Sequence, residues 1–389
     1  MALSAVGEQY LPARLRPFIF LSHPVERPSH LRSQSSSSIL WSRYYRIGPD
    51  DLPLIIGWTV IMLVLRWIIL RQLKKFAHYW LGQSDRSHPP LNDAPNVNES
   101  VIPNTTSATS PVTTNGHAIS NGNGLTSRKP SNRDIASKVG KDGTALKAAL
   151  KTREHTVTRF AEQGFSCIYY TLAWCYGLWI HTAIYDSVLD TKAFWLSHPH
   201  IPLPAPVKFY LVLVFTYYST QAIILHIEEH RRDHLQMFTH HVLTVLLLAG
   251  AYVTYLTRVS CAMFFIVDWC DILLPLGKML KYMNIPVLPD ITFLIFTVSW
   301  FITRQILFFR LVWSVTFDMP VYLSLEWNPA IDHLVTRKGW ILFAVALWSV
   351  QVLLTIWFYM ACKVLYDVFR GKAAVVEDWR SDDEGEGAE

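Results

Sequence analysis

Two neighbouring apolar runs decide the fold: Met237-Phe-Thr-His-His-Val-Leu-Thr-Val-Leu-Leu-Leu-Ala-Gly-Ala-Tyr-Val-Thr-Tyr-Leu256 and Val259-Ser-Cys-Ala-Met-Phe-Phe-Ile-Val-Asp-Trp-Cys-Asp-Ile-Leu-Leu-Pro-Leu-Gly277. Each run is close to the length of about 20 residues that a helix needs to cross the hydrocarbon core of a bilayer. Only Thr257 and Arg258 separate the two runs. The pattern therefore predicts a hairpin of two antiparallel transmembrane helices.

The composition of the whole chain has the same character. Of its 389 residues, 51% are hydrophobic and 17% are charged, whereas soluble domains carry about 25% charged residues. These values exclude a disordered protein, a fibrous repeat and an ordinary cytosolic enzyme. Further apolar runs of spanning length are Leu52–Leu70, Phe165–Ile184, Val207–Leu225, Ile291–Trp313 and Trp340–Cys362. The sequence predicts an all-α polytopic membrane protein with about seven spans, a six-helix core and one N-terminal transmembrane helix.

The polar stretches around these runs divide the chain into regions. We expect a polar N-terminal region at 1–51, the first transmembrane helix at 52–70, a low-complexity linker at 71–155, the main membrane domain at 156–370 and an acidic tail at 371–389. From residue 85 onward the linker is rich in Ser, Thr, Asn, Pro and Gly. A stretch of this composition buries too little apolar surface to fold, so the linker is predicted to be disordered.

Lysine and arginine residues indicate the orientation of the spans. They concentrate on one side of the predicted core, at Lys141, Lys147, Lys151, Arg153, Arg159, Arg231, Arg232, Lys278, Lys281, Lys363, Arg370 and Lys372. The positive-inside rule then places the linker and the C-terminus in the cytosol, where the sequons at Asn98 and Asn104 stay unmodified. The first span has basic residues on both sides, so its direction stays open. Because the basic patches lack interleaved aromatic residues, we expect no nucleic-acid partner.

Four ionisable residues lie inside the hairpin: His240 and His241 in its first helix, Asp268 and Asp271 in its second. His241 precedes Thr257 by 16 residues and Asp271 follows it by 14, so at about 1.5 Å per residue both lie within about 3 Å of the same depth. Each such group is costly in hydrocarbon, which makes it a functional candidate. The four residues predict a catalytic cluster. The alternative is a His–Asp pair that merely holds the two helices together.

A fifth buried charge, Arg304, lies in the run Ile291–Trp313. It can neutralise one of the aspartates, or it can bind substrate. The sequence gives these two roles equal weight.

Short histidine patterns in the chain do not amount to a metal site. His226-Ile-Glu-Glu-His230 matches the H-x-x-E-H zinc motif, but no third ligand is apparent at this membrane boundary. A di-iron hydroxylase needs several histidine boxes, and Met237 interrupts the second one. The sequence therefore predicts no metal.

Three central stretches, Glu229–Thr244, Tyr255–Arg258 and Asp268–Lys278, carry a family resemblance. They resemble the signature of ceramide synthases, the sphingoid-base N-acyltransferases of the TLC-domain superfamily. Trp300–Arg304 is similar to a later part of that domain, and Asp378–Glu384 resembles the D-x-R-S-D-x-E motif that follows its last helix. The resemblance covers about residues 155–384. Many members have a histidine where this chain has Val267; fungal members resemble this chain in lacking it.

The resemblance implies a multi-pass enzyme of the endoplasmic reticulum membrane with a TLC-type catalytic domain at 156–370. Such an enzyme transfers a fatty acyl group from acyl-CoA to the amine of sphinganine or phytosphingosine and thereby forms ceramide. The resemblance implies no metal or organic cofactor. It implies acyl-CoA, a sphingoid base and membrane lipid as partners, and it is compatible with a homodimer or a heterodimer of related subunits.

The residues of the chain suit this chemistry. Acyl transfer to an amine needs a base and a group that stabilises the oxyanion, and neutral imidazoles oriented by carboxylates serve both needs. A histidine can also attack the thioester itself, with His240 slightly ahead of His241; direct attack by the amine is the competing scheme. We expect catalytic roles for His240, His241, Asp268 and Asp271. We expect substrate binding at Arg231, Arg232, Lys278, Lys281 and Arg304, of which the first four meet the anionic CoA at the cytosolic mouth.

Two other functions stay open at the level of sequence. One is a TLC-type protein without turnover, such as a lipid sensor or a toxin-resistance paralogue. The other is a seven-span receptor. The paired histidines and the Asp-x-x-Asp spacing favour the enzyme.

The acidic tail carries a candidate modification site. Ser381 is followed by Asp382, Asp383 and Glu384, a pattern that suits an acidophilic kinase. A phosphate there adds about −1.5 to −2 charges and favours contact with basic cytosolic loops.

Overall fold

The computed structural model describes residues 12, 14–26, 43–87, 132–185, 190–227 and 234–370, and most of them are helical. The helices are α1 (Asp51–Ser87), α2 (Asn132–Ala183), α3 (Ala205–Ile224), α4 (His234–Val253), α5 (Thr257–Tyr282), α6 (Leu288–Tyr322) and α7 (Arg337–Phe369). Short 3₁₀ turns occur at Arg16–Phe18, Thr191–Phe194 and Pro329–Ile331. The predicted all-α class is confirmed.

Six of these helices, α1 and α3 to α7, are long and apolar enough to cross a membrane. The chain is therefore a multi-pass membrane protein. The predicted span Phe165–Ile184 falls within α2 apart from its last residue, but α2 is not among the six. The reason is its composition, because polar and aromatic side chains such as Tyr169, Tyr170 and His181 interrupt the apolar run.

The chain divides into two compact units, which are described separately: Met1–Ala77 with Thr158–Glu389, and His78–Val157. Within the smaller unit, Nε2 of His78 lies 3.5 Å from Oε1 of Glu154. The predicted linker is helical at both ends: α1 continues to Ser87, and α2 begins at Asn132. Residues 71–81 and 145–151 are rich in Leu, Lys, Ala and Gln, which favour helix. Residues 88–131, with both sequons, lie outside the described residues.

Helix α5 lies at the centre of the larger unit. One apolar cluster contains side chains of the four helices α4, α5, α6 and α7 and includes Cys270 of α5. A second cluster joins α1, α2, α3 and α4 and includes Cys261 of α5. Because α5 takes part in both clusters, its side chains pack among the other helices rather than facing lipid on one side. Any polar group on α5 is therefore held by protein.

A small sheet and a buried ion pair tie the N-terminal segment to this bundle. Strands β1 (Pro24–Val25), β2 (Tyr44–Tyr45) and β3 (Leu203–Pro204) pair in antiparallel register, with β2 in the middle. Next to them, Nζ of Lys208 lies 2.7 Å from Oδ1 of Asp51. The Lys208 side chain is fully buried and that of Asp51 nearly so.

Both members of this ion pair have further hydrogen-bond partners. Lys208 also donates to the carbonyl oxygens of Ser22 and Arg46, at 2.8 and 2.7 Å. Asp51 accepts from the hydroxyl of Tyr252 and from the backbone N–H of Gly48, both at 3.0 Å. Ser22 donates to Asp51 as well. We call this group the Lys208–Asp51 cluster.

The Lys208–Asp51 cluster fixes the direction of the first span. Asp51 begins α1, Lys208 lies in the first turn of α3, and Tyr252 lies in the last turn of α4. The start of α1 therefore lies at the same end of the bundle as the start of α3 and the end of α4. Helix α1 runs parallel to α3 and α5 and antiparallel to α4. The direction that the basic residues left open is thus defined relative to the core.

Candidate active site

A cavity opens among the helices of the larger unit and contains most of the predicted catalytic residues. Its volume is about 1090 Å³ with the open mouth included. Helix α4 lines it with a stripe of residues spaced three and four apart, and α5 does the same from the opposite side. Side chains of α2, α3, α6 and α7 complete the wall. The polar and charged lining residues are Tyr170, Tyr218, His240, His241, Thr244, Ser260, Asp271, Trp300, Arg304 and Trp357.

The two histidines occupy neighbouring positions on the cavity wall. Their ring centroids are 5.6 Å apart. Among the residues that the structure describes, the Nδ1 atom of each ring is buried without a hydrogen-bond partner, which leaves Nε2 as the nitrogen that each ring presents to the cavity. Adjacent helical residues point about 100° apart, and the two rings accordingly have different neighbours. His240 packs edge-on against Trp357 at 5.4 Å, and His241 packs against Tyr218 at 6.0 Å.

Asp271 and Arg304 form an ion pair on the same wall. Nη2 of Arg304 lies 2.7 Å from Oδ1 of Asp271 and donates to the backbone carbonyl of Val267 at 3.0 Å. The guanidinium also stacks over the ring of Trp300 at 4.0 Å. Because the Asp271 side chain is 24% exposed, this ion pair faces the cavity rather than the packed core. The structure thus shows Arg304 paired with an aspartate on the cavity wall.

A local change of helix type positions Arg304. Residues Phe301–Leu307 of α6 form a π-helical turn, and Ser314–Asp318 form a second one. A π turn inserts one extra residue and redirects the side chains that follow, and such turns often occur at functional sites. The apolar periodicity of α6 gave no sign of either turn.

Asp268 does not join the other predicted residues at the cavity. Its side chain is 1% exposed, it is not among the lining residues, and its Oδ1 atom has no partner. It lies within electrostatic range of Tyr169, Tyr210 and Tyr218 instead. The predicted cluster is therefore divided, with Asp268 behind the wall that carries the histidines and Asp271.

In the described part of the chain, no carboxylate orients His240 or His241 through Nδ1 as the sequence analysis expected. Neither His240 nor His241 has a partner at Nδ1, and Arg304 takes the carboxylate of Asp271. Aromatic rings hold the two imidazoles instead. Where the sequence suggested a His–Asp network, the structure has imidazoles packed against aromatic rings beside a separate ion pair.

Two of the predicted CoA-binding cations, Lys278 and Lys281, are not part of the cavity wall. Lys278 and Lys281 follow Asp271 on α5 by 7 and 10 residues, which is about 10 and 15 Å further along the helix. Neither residue lines the cavity. Arg231, Arg232 and Ser381 lie outside the described residues.

The zinc-like pattern is only partly described. The ring of His226 packs against those of His234 and Phe238, at 5.5 and 4.7 Å. Its proposed companion His230 lies outside the described residues. Among the residues that the structure does describe, no group of three or more His, Cys, Asp or Glu side chains could hold a metal ion.

A second cavity adjoins the first at the end where α4 turns into α5. It has a volume of about 790 Å³, open space included, and its lining is almost entirely apolar. Leu247 and Phe343 belong to the walls of both cavities. The second cavity therefore extends the first in the direction away from Lys278 and Lys281.

The sequence analysis did not single out three side chains that the structure makes prominent: Lys208, Tyr218 and Trp357. Lys208 gave a readable signal, because a lysine within an apolar run is as conspicuous as a histidine. Tyr218 and Trp357 gave none, since aromatic residues are frequent in membrane helices and only the fold brings these two beside the histidines.

Fold and site together define a class: a polytopic helical membrane protein with paired histidines in an intramembrane cavity. A sequence model of the TLC domain matches residues 159–363, more than half of the chain. The chain belongs to the TLC-domain family, and the predicted resemblance is confirmed.

Several proteins of similar sequence are named as sphingosine N-acyltransferases or ceramide synthases. Sphingosine N-acyltransferase lag1 of Schizosaccharomyces pombe is 35% identical over 234 residues, which cover 60% of this chain and 59% of that protein. Ceramide synthase FUM18 of Gibberella moniliformis is 31% identical over 261 residues, covering 60% of each chain. Ceramide synthase LAG1 of Saccharomyces cerevisiae is 28% identical over 248 residues, covering 61% of this chain and 58% of that protein. The match thus spans about six tenths of the length of these relatives.

Proposed function

We propose that this protein is a ceramide synthase, which transfers a fatty acyl group from acyl-CoA to the amine of sphinganine or phytosphingosine. The observation that carries the proposal is the cavity, where two imidazoles present Nε2 to an apolar space inside a membrane bundle. The names of the similar proteins support the same activity.

The apolar space suits two long hydrocarbon chains. Most of the cavity lining is Leu, Met, Phe, Val and Trp side chains, and the second cavity continues with the same character. Each methylene group that leaves water contributes about 0.8 kcal/mol. The acyl chain extends from the histidines toward Leu247 and Phe343 and then into the second cavity. The thioester then lies at the polar part of the wall.

The histidines supply the chemistry of the transfer. Nε2 of one neutral imidazole, with His240 ahead of His241, attacks the thioester carbon; the C–S bond breaks and CoA leaves as the thiolate. The sphingoid amine then attacks the acyl-imidazole, a C–N bond forms and the bond to Nε2 breaks. The other imidazole accepts the proton that the amine loses. The products are the amide, the CoA thiolate and the proton that the amine lost, and the proposed route uses no metal or organic cofactor.

The charged ends of the helices support an orientation. Lys278 and Lys281 lie toward the end of α5 that the positive-inside rule assigns to the cytosol. There, together with Arg231 and Arg232, they attract the phosphates of CoA to the mouth of the cavity. The membrane is that of the endoplasmic reticulum, the C-terminus is cytosolic, and the protein functions alone or as a dimer with itself or a related subunit.

The test is direct synthesis by the purified protein. The full chain in lipid nanodiscs receives sphinganine and, one at a time, acyl-CoAs of long and very long chain. Mass spectrometry then measures N-acylsphinganine. We expect product only when both substrates are present. Absence of product from folded protein with every acyl-CoA, while a known ceramide synthase is active in the same assay, would contradict the proposal.

A further inference from the structure

Tyr218 is a cavity residue that neither the sequence analysis nor the proposed mechanism has used. It lies on α3, its side chain is buried, and it forms part of the cavity wall. Its ring packs against His241 at 6.0 Å and against Phe264 at 5.4 Å. It is thus the aromatic neighbour of one of the two imidazoles.

The hydroxyl of Tyr218 differs from those of the tyrosines around it. The hydroxyls of Tyr169 and Tyr210 are sealed inside the protein, and that of Tyr217 accepts from Gln221 at 3.0 Å. The hydroxyl of Tyr218 is neither sealed nor hydrogen-bonded to a residue that the structure describes. It is therefore free to serve a molecule in the cavity.

Acyl transfer needs such a donor. When a nucleophile attacks a thioester, the carbonyl oxygen gains negative charge, and a fixed hydrogen-bond donor stabilises it. The two aliphatic hydroxyls on the wall are already in use. The hydroxyls of Thr244 and Ser260 donate to backbone carbonyls of their own helices, at 2.8 and 2.9 Å.

The remaining donors fit less well. Nη2 of Arg304 is taken by Asp271 and by the carbonyl of Val267, and Nε1 of Trp357 is sealed in the wall. Tyr170 also lines the cavity, but its ring contacts are with Tyr169 and Tyr217 rather than with a histidine. Tyr218 alone among these combines an available hydroxyl with contact to the histidine pair.

We propose that Tyr218 is a catalytic residue whose hydroxyl donates a hydrogen bond to the carbonyl oxygen of the acyl group during transfer. The inference rests on the proposed acyltransferase function. The tyrosine keeps its proton throughout, so the balance of the reaction is unchanged. Arg304 lines the same cavity and supplies a positive charge there.

The test compares Tyr218→Phe with Tyr210→Phe in the full-length protein. Both residues lie on α3 and both are within electrostatic range of Asp268, but Tyr210 does not line the cavity. Loss of one oxyanion donor lowers kcat about a hundredfold, so we expect that fall for Tyr218→Phe with little change in KM. We expect Tyr210→Phe to stay within about twofold of the unmodified protein, because its hydroxyl has no partner to lose.

A second readout separates catalysis from the shape of the cavity. A fatty alkyl-CoA thioether lacks the carbonyl oxygen, so Tyr218→Phe is expected to bind it as tightly as the unmodified protein does. If Tyr218→Phe fails to accumulate, fluorotyrosine at position 218 replaces it. Its more acidic phenol is a stronger donor, and we expect kcat to change while thioether binding does not.

The outcomes distinguish this inference from the proposed function. If the unmodified protein forms no ceramide, the proposed function fails. If it is active but Tyr218→Phe keeps kcat within twofold, or Tyr210→Phe loses as much, the role of Tyr218 is wrong and the function stands. Thioether binding that weakens in parallel with kcat/KM would also overturn it, and so would an unchanged kcat with fluorotyrosine.

Discussion

Two buried ion pairs in this bundle show opposite patterns of hydrogen bonding. In the Lys208–Asp51 cluster, the ammonium has three acceptors and the carboxylate has four donors. At the cavity, Arg304 and Asp271 pair with each other, but Nε of Arg304 has no partner among the described residues and Asp271 is 24% exposed. Nδ1 of each neighbouring imidazole likewise has no partner there.

The difference separates structure from function. Burying a charge is costly unless hydrogen bonds compensate it, and the Lys208–Asp51 cluster has that compensation without any ligand. The cavity wall lacks that compensation, because Nε of Arg304 and Nδ1 of both histidines are buried without a partner among the described residues, and Nε2 of each imidazole is left for a substrate. We therefore expect substitutions in the first group to affect folding and substitutions in the second to affect turnover.

The largest effect is expected at the histidines. His240→Ala and His241→Ala, made singly, should each lower the rate of N-acylation about a thousandfold or more, because general-base and nucleophilic groups are lost. The melting temperature in detergent should barely change. His181→Ala is the matched control, since His181 is a buried histidine outside the cavity; a similar loss of activity there would refute the assignment.

The Lys208–Asp51 cluster should respond in the opposite way. Lys208→Met leaves the buried carboxylate of Asp51 without its counter-ion, which lowers the free energy of unfolding by about 3–5 kcal/mol. Turnover per folded molecule should be preserved. Thermal unfolding and active-site titration measure the two quantities, with Lys192→Met, an exposed lysine, as the control. Unchanged stability in Lys208→Met would contradict the claim that the Lys208–Asp51 cluster stabilises the fold.

Single hydrogen bonds to the cluster should have intermediate effects. Tyr252→Phe removes a bond to the charged Asp51, so we expect a loss of about 1.5–3 kcal/mol in unfolding free energy. Tyr255→Phe removes only long contacts with Ile47, at 3.3 and 3.4 Å, and should have a smaller effect. Equal effects of the two changes would show that the charge of Asp51 is not what matters.

The smallest effect is expected for a partly exposed ion pair at the same end of the bundle. Arg46 pairs with Asp332, and the two side chains are 47% and 31% exposed. Such pairs contribute about 0.2–1 kcal/mol and are screened by salt. Arg46→Ala should therefore shift thermal unfolding slightly at low salt and hardly at all at high salt. A loss as large as that of Lys208→Met would show that burial does not decide these energies.

Sequence reasoning was most successful where a single physical requirement dominates. A membrane span needs an apolar run of fixed length, so the spans were found close to their helices, for example Met237–Leu256 against α4 (His234–Val253). The matched depth of His241 and Asp271 followed from helix rise and a short turn, and both residues line one cavity.

The features that the sequence analysis did not predict depend on the rotation of each helix about its axis and on where each helix begins and ends. Composition does not determine either. Asp268 and Asp271 share a helix and lie one turn apart, yet only Asp271 reaches the cavity. The ends of the linker are helical although the stretch reads as low-complexity. The catalytic roles of the histidines and aspartates, and the phosphorylation of Ser381, stay predictions.

The central claim is that acyl transfer takes place on the histidine pair. The most direct measurement incubates the purified protein with acyl-CoA alone, digests it and weighs the peptides by mass spectrometry. We predict a peptide containing His240 and His241 that is heavier by one acyl group and that loses this group when sphinganine is added. No acylated histidine peptide, in a preparation that turns over under the same conditions, would contradict the claim.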